Sequence, residues 1–356
     1  MSNKSEILAL GCGGCGNNQL DTLLKLDKRY TGIFFNTNMR EMEILKTFDK
    51  ERRCFYIPNA DGSGKDRNLT EGYLKIEAPK FAEMVSKFTQ KYITMLSSGN
   101  GGTGSKAVVM IPRLIKKVST DKKIISLIAT FPSINETDID FQNAIDFWNE
   151  MIEQYEKGFI DNLMFVDNNK MSSEQLINKS ALKDYDDMFE VVAGKVDSSD
   201  LARVFKERGY NVILKLDPKI RNTADAIDKA IDDSVFYVPE NLECEALVAT
   251  VNINDFNVSE IKNRIPSYSF SKINETTEGD TIIVLGGCDI PTEPIELVQE
   301  ALDELKAKAR TKREKRTNLK VVKKAINNTI KEEMPPTTLS SKDLNDMFAD
   351  DSFWDD

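Results

Sequence analysis

Two glycine-rich loops, each entered from a short apolar run and left through an amphipathic stretch, constrain this chain more than any other feature. The first, Gly11-Cys12-Gly13-Gly14-Cys15-Gly16-Asn17-Asn18, follows the apolar segment Glu6–Leu10 and opens a helical pattern from Gln19. The second, Ser97-Ser98-Gly99-Asn100-Gly101-Gly102-Thr103-Gly104-Ser105-Lys106, follows Tyr92–Leu96 and leads into the helical spacing of Lys106–Val118. Glycines let backbone approach a phosphate closely, and a helix start aims N–H groups and a partial positive charge at it. Two such units in one sheet point to two sets of amides converging on one polyphosphate. The first loop alone also satisfies a dinucleotide-binding pattern at Gly11, Gly13 and Gly16, which keeps a Rossmann-fold NAD oxidoreductase open. That alternative needs only one such loop.

The rest of the first half alternates β-branched runs (Gly32–Phe35, Cys54–Ile57, Lys123–Ala129, Asn162–Val166) with segments long enough for crossover helices, including Asp140–Glu156. Helical spacing then runs from Ser172 to about Val196, and a second set of strands (Asn211–Leu216, Glu245–Asn252, Thr281–Leu285) and helices (Thr223–Ser234, Val258–Arg264) follows. The predicted fold class is α/β. A Rossmann-like nucleotide-binding domain with a parallel sheet spans 1–170, a central connecting helix 171–196 and a smaller α/β domain 197–292. Beyond it the composition shifts. Eleven Lys or Arg face the single acid Glu314 between Lys306 and Lys331, whereas eight acids face only Lys342 from Glu332 to Asp356. A basic helix over 293–331 and a disordered acidic tail over 332–356, broken by Pro335-Pro336, are expected.

With no histidine in the chain, imidazole bases and His-ligated zinc are excluded. The chemistry must run on carboxylates, backbone amides or a bound metal. Five scattered cysteines suit reduced thiols; Cys12 and Cys15 form a CxxC, for which redox chemistry competes with a place in the glycine loop. The net charge of -10 argues against non-specific coating of nucleic acid. No apolar run approaches a membrane span, and MSNKSEILALGCGG carries a strand pattern rather than a signal peptide, so a cytoplasmic location and no membrane partner are expected.

Gly101-Gly102-Thr103-Gly104-Ser105 resembles the signature GGGTG[ST]G of the tubulin/FtsZ superfamily, with Asn100 in place of its first glycine and Lys106 in place of its last. Other motifs follow in the family's order. Asn36-Thr37-Asn38 is similar to its phosphate and metal loop, and Asn59-Ala60-Asp61-Gly62-Ser63-Gly64 to the loop that senses a γ-phosphate. Thr130-Phe131-Pro132 with Glu136 is similar to the ribose loop, although Asp140 replaces an Arg often found four residues after that Glu. Asp167-Asn168-Asn169 resembles the loop whose Asn reads guanine, a choice made by donor–acceptor pattern. The family places a second guanine reader near the start of its central helix. Counting back about twenty residues, or ~30 Å of helix, from Asp197 favours Asn178 over Tyr185 or Asp187.

The segment Val196-Asp197-Ser198-Ser199-Asp200-Leu201 resembles the NxDxxD of FtsZ, with Lys195 in place of the preceding Asn, and Ala224–Ile231 resembles a helix of its second domain. The resemblance covers about Glu6 to Pro291 and is strongest to the TubZ-like segregation tubulins of plasmids and phages. It implies a GTPase that assembles head to tail, with Asp197 and Asp200 reaching the nucleotide pocket of the next subunit. It implies GTP or GDP and Mg²⁺ as cofactors, the metal held by phosphates and water with no direct protein ligand. Alternatives are a cell-division GTPase, a non-hydrolysing structural filament, and a reading in which Asp197 or Asp200 merely caps the following helix. The basic stretch suits DNA or an acidic partner, docking along the filament, or a solvated helix. In TubZ-like systems the C-terminus engages a DNA-binding adaptor at a centromere-like site. Phe348, Phe353 and Trp354 mark the acidic end, for which mimicry of a phosphate backbone and folding back on the basic helix are the two readings.

Overall fold

The computed structural model describes residues 3–317 apart from Asn59 and Thr120. The expected acidic tail, the basic stretch beyond 317 and Asn59 lie outside the described residues. The chain up to Arg310 forms one compact unit, and a second begins at Thr311.

The strands are β1 Ile7–Cys12, β2 Thr31–Asn36, β3 Cys54–Tyr56, β4 Tyr92–Ser98, β5 Ile124–Phe131, β6 Asn162–Asp167, β7 Gly209–Leu216, β8 Cys244–Asn252, β9 Ser267–Thr276 and β10 Thr281–Cys288. Between them lie the helices α1 Gly13–Leu26, α2 Met39–Glu43, α3 Arg67–Ser86, α4 Thr103–Val118, α5 Asp138–Glu156 and α6 Glu174–Asp187. After these come α7 Ser198–Lys206, α8 Thr223–Asp233, α9 Val258–Arg264 and α10 Glu293–Thr317. One sheet holds every strand, in the order β3-β2-β1-β4-β5-β6-β7-β10-β8-β9.

From β3 to β7 all neighbours are parallel, as crossover helices require; β10 runs antiparallel to both β7 and β8. The central strands are buried along nearly their whole length because helices cover both faces. On one face Phe81 of α3, Ile111 of α4 and Phe147 of α5 pack together with Val298 of α10. On the other, Leu20 of α1, Leu182 of α6 and Val204 of α7 pack against the sheet. The segments expected as separate domains therefore share one sheet.

The connecting helix is shorter than its sequence pattern. α6 ends at Asp187, a 3-10 turn carries the chain through Val191, and Lys195 N–H donates to Asn274 Oδ1 at 3.0 Å. The short helix α2, α3 and β9 lie outside the sequence reading. The α3 helix contains Pro79 and shows weak amphipathic contrast, and β9 is an edge strand whose residues are mostly only partly buried.

Candidate nucleotide site

Strand β1 has β2 on one side and β4 on the other, so the connections leave it in opposite directions. Ligands of open α/β sheets bind beyond the carboxyl ends of strands at such a switch point. Both glycine loops emerge there. The start of α4 presses onto the end of β1 so tightly that a Cβ on Gly104 would lie 2.4 Å from the Cys12 carbonyl oxygen. Only a glycine permits that approach, and it brings the first turns of α1 and α4 to one cavity of about 320 Å³.

The cavity is lined from the first loop by Cys12, Gly13, Gly14 and Cys15, and from the second by Ser98, Gly101, Gly102, Thr103 and Gly104. Asn36, Thr37 and Asn38 enter after β2, and Gly62, Ser63, Gly64 and Lys65 after β3. A hydroxyl chain ties these segments: Thr37 Oγ1 and Thr103 Oγ1 are 2.8 Å apart, and Thr103 Oγ1 lies 3.2 Å from Ser63 Oγ. The Asn36 carboxamide oxygen accepts from the N–H groups of Thr37 at 2.8 Å and Asn38 at 3.3 Å, while its amide donates to Glu41 at 2.9 Å. Glu41 and Lys65 line the cavity without having been singled out in the sequence, since a lone Glu or Lys in a polar loop carries no signal of its own.

A second cavity of about 540 Å³ lies between α1 and α6, where Asn18 faces Gln175 and Asn178. Gln19 joins it to the sheet, donating to Thr130 Oγ1 at 2.8 Å and to Asn178 Oδ1 at 3.0 Å. Thr130 at the end of β5 and Asn178 in α6 thus meet through a residue the motifs did not mark. Other residues expected to touch nucleotide support the loops instead. Asn17 donates to the Phe35 carbonyl at 3.2 Å, and Ser105 accepts from Arg67 and donates to the Gly101 carbonyl. Gly11 ends inside β1 and Gly16 inside α1; Ala60 and Pro132 are buried, and Asp61 is exposed. Asn168 is half-buried beside Asn169, whose side chain accepts from the Ile134 N–H at 3.0 Å. Asn100 donates to Asp140 at 3.3 Å, and Glu136 lies in a groove against α10. Lys106, standing at the end of the signature, turns away and pairs with Glu71 at 2.8 Å and Glu150 at 2.9 Å.

Burial raises both loop thiols, Cys15 to about 12 and Cys12 beyond it, so neither is a thiolate at neutral pH. That removes the main ground for a redox CxxC.

The acidic turn lies elsewhere. α6 carries the chain away from Asn178 at the second cavity, over ~12 Å of helix, to Asp186, which accepts from Tyr30 Oη at 2.9 Å and pairs with Lys4 at 2.6 Å before β1 begins. Asp197 and Asp200 follow still later and line neither cavity. Asp197 accepts from the N–H groups of Ser199 at 2.8 Å and Asp200 at 3.0 Å, and Asp200 accepts from the Asp197 N–H at 2.9 Å. This reciprocal capping box starts α7. Hydrogen bonds from the Ser199 hydroxyl and then from the backbone hold the Asp197 carboxyl below its ordinary range, keeping it ionised.

A parallel α/β sheet with two glycine loops at its switch point defines a nucleotide-binding protein, and comparison with known proteins specifies the class. Residues 6–174 match the Tubulin/FtsZ family, GTPase domain, and the chain carries a GTPase domain of that family. Over 98% of its length it is 26% identical to the Tubulin-like protein TubZ of Clostridium botulinum C phage, covering 99% of that protein. Cell division protein FtsZ 1 of Methanocaldococcus jannaschii is 22% identical, with 75% of each chain covered. Among solved structures, the tail-truncated TubZ of Clostridium botulinum phage c-st superposes with a TM-score of 0.78 at 24% identity, covering 86% of this chain and 99% of that one. A GTPγS-form protofilament of Bacillus thuringiensis serovar israelensis TubZ gives 0.72 at 15% identity, covering 88% and 94%.

Proposed function

We propose that this protein is a GTP-driven filament former, hydrolysing GTP where one subunit's acidic turn meets the next subunit's cavity, and that it serves plasmid or phage DNA segregation. The observation carrying this reading is the separation of the two halves of the chemistry. The phosphate cavity is lined by the starts of α1 and α4 and by the loops after β2 and β3, whereas Asp197 and Asp200 follow α6 and line no part of it. Phosphoryl transfer needs positioning, charge neutralisation and an acid to orient water. A single chain supplies the first with its loops and presents Asp197 and Asp200 outward for a neighbour. Such a contact joins unlike surfaces, so it propagates into open filaments. The Bacillus thuringiensis relative was solved as a protofilament in its GTPγS form.

Within the cavity, the triphosphate lies against the starts of α1 and α4, with Asn36–Asn38 and Gly62–Gly64 around its far end. Mg²⁺ would be held by the phosphates and water and would neutralise their charge, and the base extends toward Asn18, Asn178 and Asn168. The C-terminal segment supplies the handle for a DNA-binding adaptor.

The deciding experiment is right-angle light scattering of the purified protein with GTP, ATP or NAD. Scattering should rise with GTP and Mg²⁺ only and decay as GTP is consumed. A rise with ATP alone would sink the guanine assignment, and a response to NAD alone would restore the oxidoreductase reading.

A further inference from the structure

The cavity must neutralise several phosphate charges, yet among its lining residues Lys65 is the single cation and Glu41 the single acid. Lys65 is at present committed elsewhere. Its ammonium lies 2.6 Å from Asp140 Oδ1, and that carboxylate is almost wholly buried, while half the Lys65 side chain is exposed. The Lys65 main chain, by contrast, is fixed. Its carbonyl accepts from Asn143 Nδ2 at 2.9 Å, and a Cβ on Gly102 would lie 2.8 Å from the Lys65 Cα. The anchor is thus rigid and the ammonium can swing about it.

Around this anchor the backbone is unusual. Asp61, Gly62, Gly64 and Lys65 have φ of 35°, 92°, 55° and 69°, a left-handed run that non-glycine residues seldom adopt. Such stretches persist where surrounding contacts over-determine them, and they cluster at ligand clamps.

Asp140 can release the ammonium without becoming an orphaned buried charge. Its second oxygen accepts from the Thr137 N–H at 3.2 Å and from the Thr137 hydroxyl, and Asn100 Nδ2 donates to the first at 3.3 Å. Breaking a buried pair is severe when one partner is left bare, and here three donors remain. Burial pushes the Asp140 carboxyl up, but its bonds from Lys65 and Thr137 outweigh this and hold it low, so it is charged while Lys65 is parked on it.

Resting on the GTPase reading, we propose that Lys65 is the residue that distinguishes triphosphate from diphosphate: parked on Asp140 when the outermost phosphate is missing, it exchanges that carboxylate for the terminal phosphate when it is present. The exchange swings the ammonium about its fixed main chain and makes its position report the state of the nucleotide. A ligand shifts such an equilibrium only by its differential affinity for the two positions, which a third phosphate provides and a second does not.

The test is a titration of full-length protein, below its assembly concentration, with GTPγS and with GDP, each with Mg²⁺. Lys65→Met should weaken GTPγS binding about 10- to 100-fold, the value of a charge-assisted hydrogen bond, and leave GDP within about twofold. Lys65→Arg should restore most of the difference. Asp140→Asn, which removes the parking partner and keeps the side-chain shape, should raise the GTPγS-to-GDP preference. Equal losses for both nucleotides in Lys65→Met, or none, would overturn the exchange, as would an unchanged preference in Asp140→Asn. Wild-type protein in the same titration separates the two levels of argument. If it binds no guanine nucleotide, the GTPase reading fails and takes the exchange with it, whereas normal wild-type binding with an unaffected Lys65→Met removes the exchange alone.

Discussion

At the cavity, Thr37, Ser63 and Thr103 share an internal hydroxyl chain, whereas past the end of α6 Asp197 is exposed and Asp200 half-buried, their hydrogen bonds spent on starting α7. One end is complete inside a single chain. The other is a pair of acids that cap their own turn. A preformed cavity binds ligand without reorganisation, while a capped, outward-facing acid acts only on what is brought to it. Binding and hydrolysis should therefore be separable by mutation.

Asp200→Ala offers the sharpest break. If the turn serves a neighbour's cavity, GTP turnover in assembled protein should fall about 100- to 10,000-fold, the span of a lost acid–base group, with nucleotide affinity within about twofold. Phosphate release at the wild-type rate would reduce Asp200 to a cap. Gly104→Ala addresses the opposite end. A Cβ forced against the Cys12 carbonyl separates the starts of α1 and α4, and overpacking of about 1–3 kcal/mol should weaken GTP binding about 10- to 100-fold. Isothermal titration showing unaltered affinity would mean that the approach of the two helix starts does not matter for the ligand.

A smaller effect tests the connector. Burial raises the Asp184 carboxyl on α6 to about 6, with Lys215 opposing and Asp187 adding to the shift. Because its folded value exceeds the unfolded one near 3.8, the folded state holds the extra proton between about pH 4 and pH 6. Stability from this group is present below that window and lost as pH rises through it. Asp184→Asn should thus stabilise the protein by about 1–2 kcal/mol at pH 7.5 and by far less at pH 4. Denaturant melts at the two pH values measure this, and equal shifts at both would show that Asp184 does not titrate there.

Much of the site was legible because its residues are local. A glycine loop between a strand and a helix is written in consecutive letters, so the segments at 11–16, 36–38, 62–64 and 101–104 could be found before any fold was known. The edge strand β9 was harder, since few of its residues are fully buried and no clean alternation marks it. α3 escaped for a related reason: its apolar face is weakly contrasted, and Pro79 within it reads as a breaker.

Pairings between distant letters were beyond the sequence. Gln19 reaches Thr130 and Asn178 across 111 and 159 positions, and Lys65 finds Asp140 across 75. Hydrogen-bond partners depend on where the chain returns, and that is fixed by burying both faces of the sheet. The same logic turned Lys106 away from the cavity: with Glu71 of α3 and Glu150 of α5 flanking α4, its charge is neutralised behind the loop. The sequence by itself determined that no imidazole takes part and that two glycine loops offer backbone amides, because the chain has those loops and no histidine. Only the tertiary structure decided that phosphate cavity and acidic turn stand apart, because the packing of the α4 start onto the end of β1 sets where the glycine loops meet and leaves Asp197 and Asp200 outside the cavity.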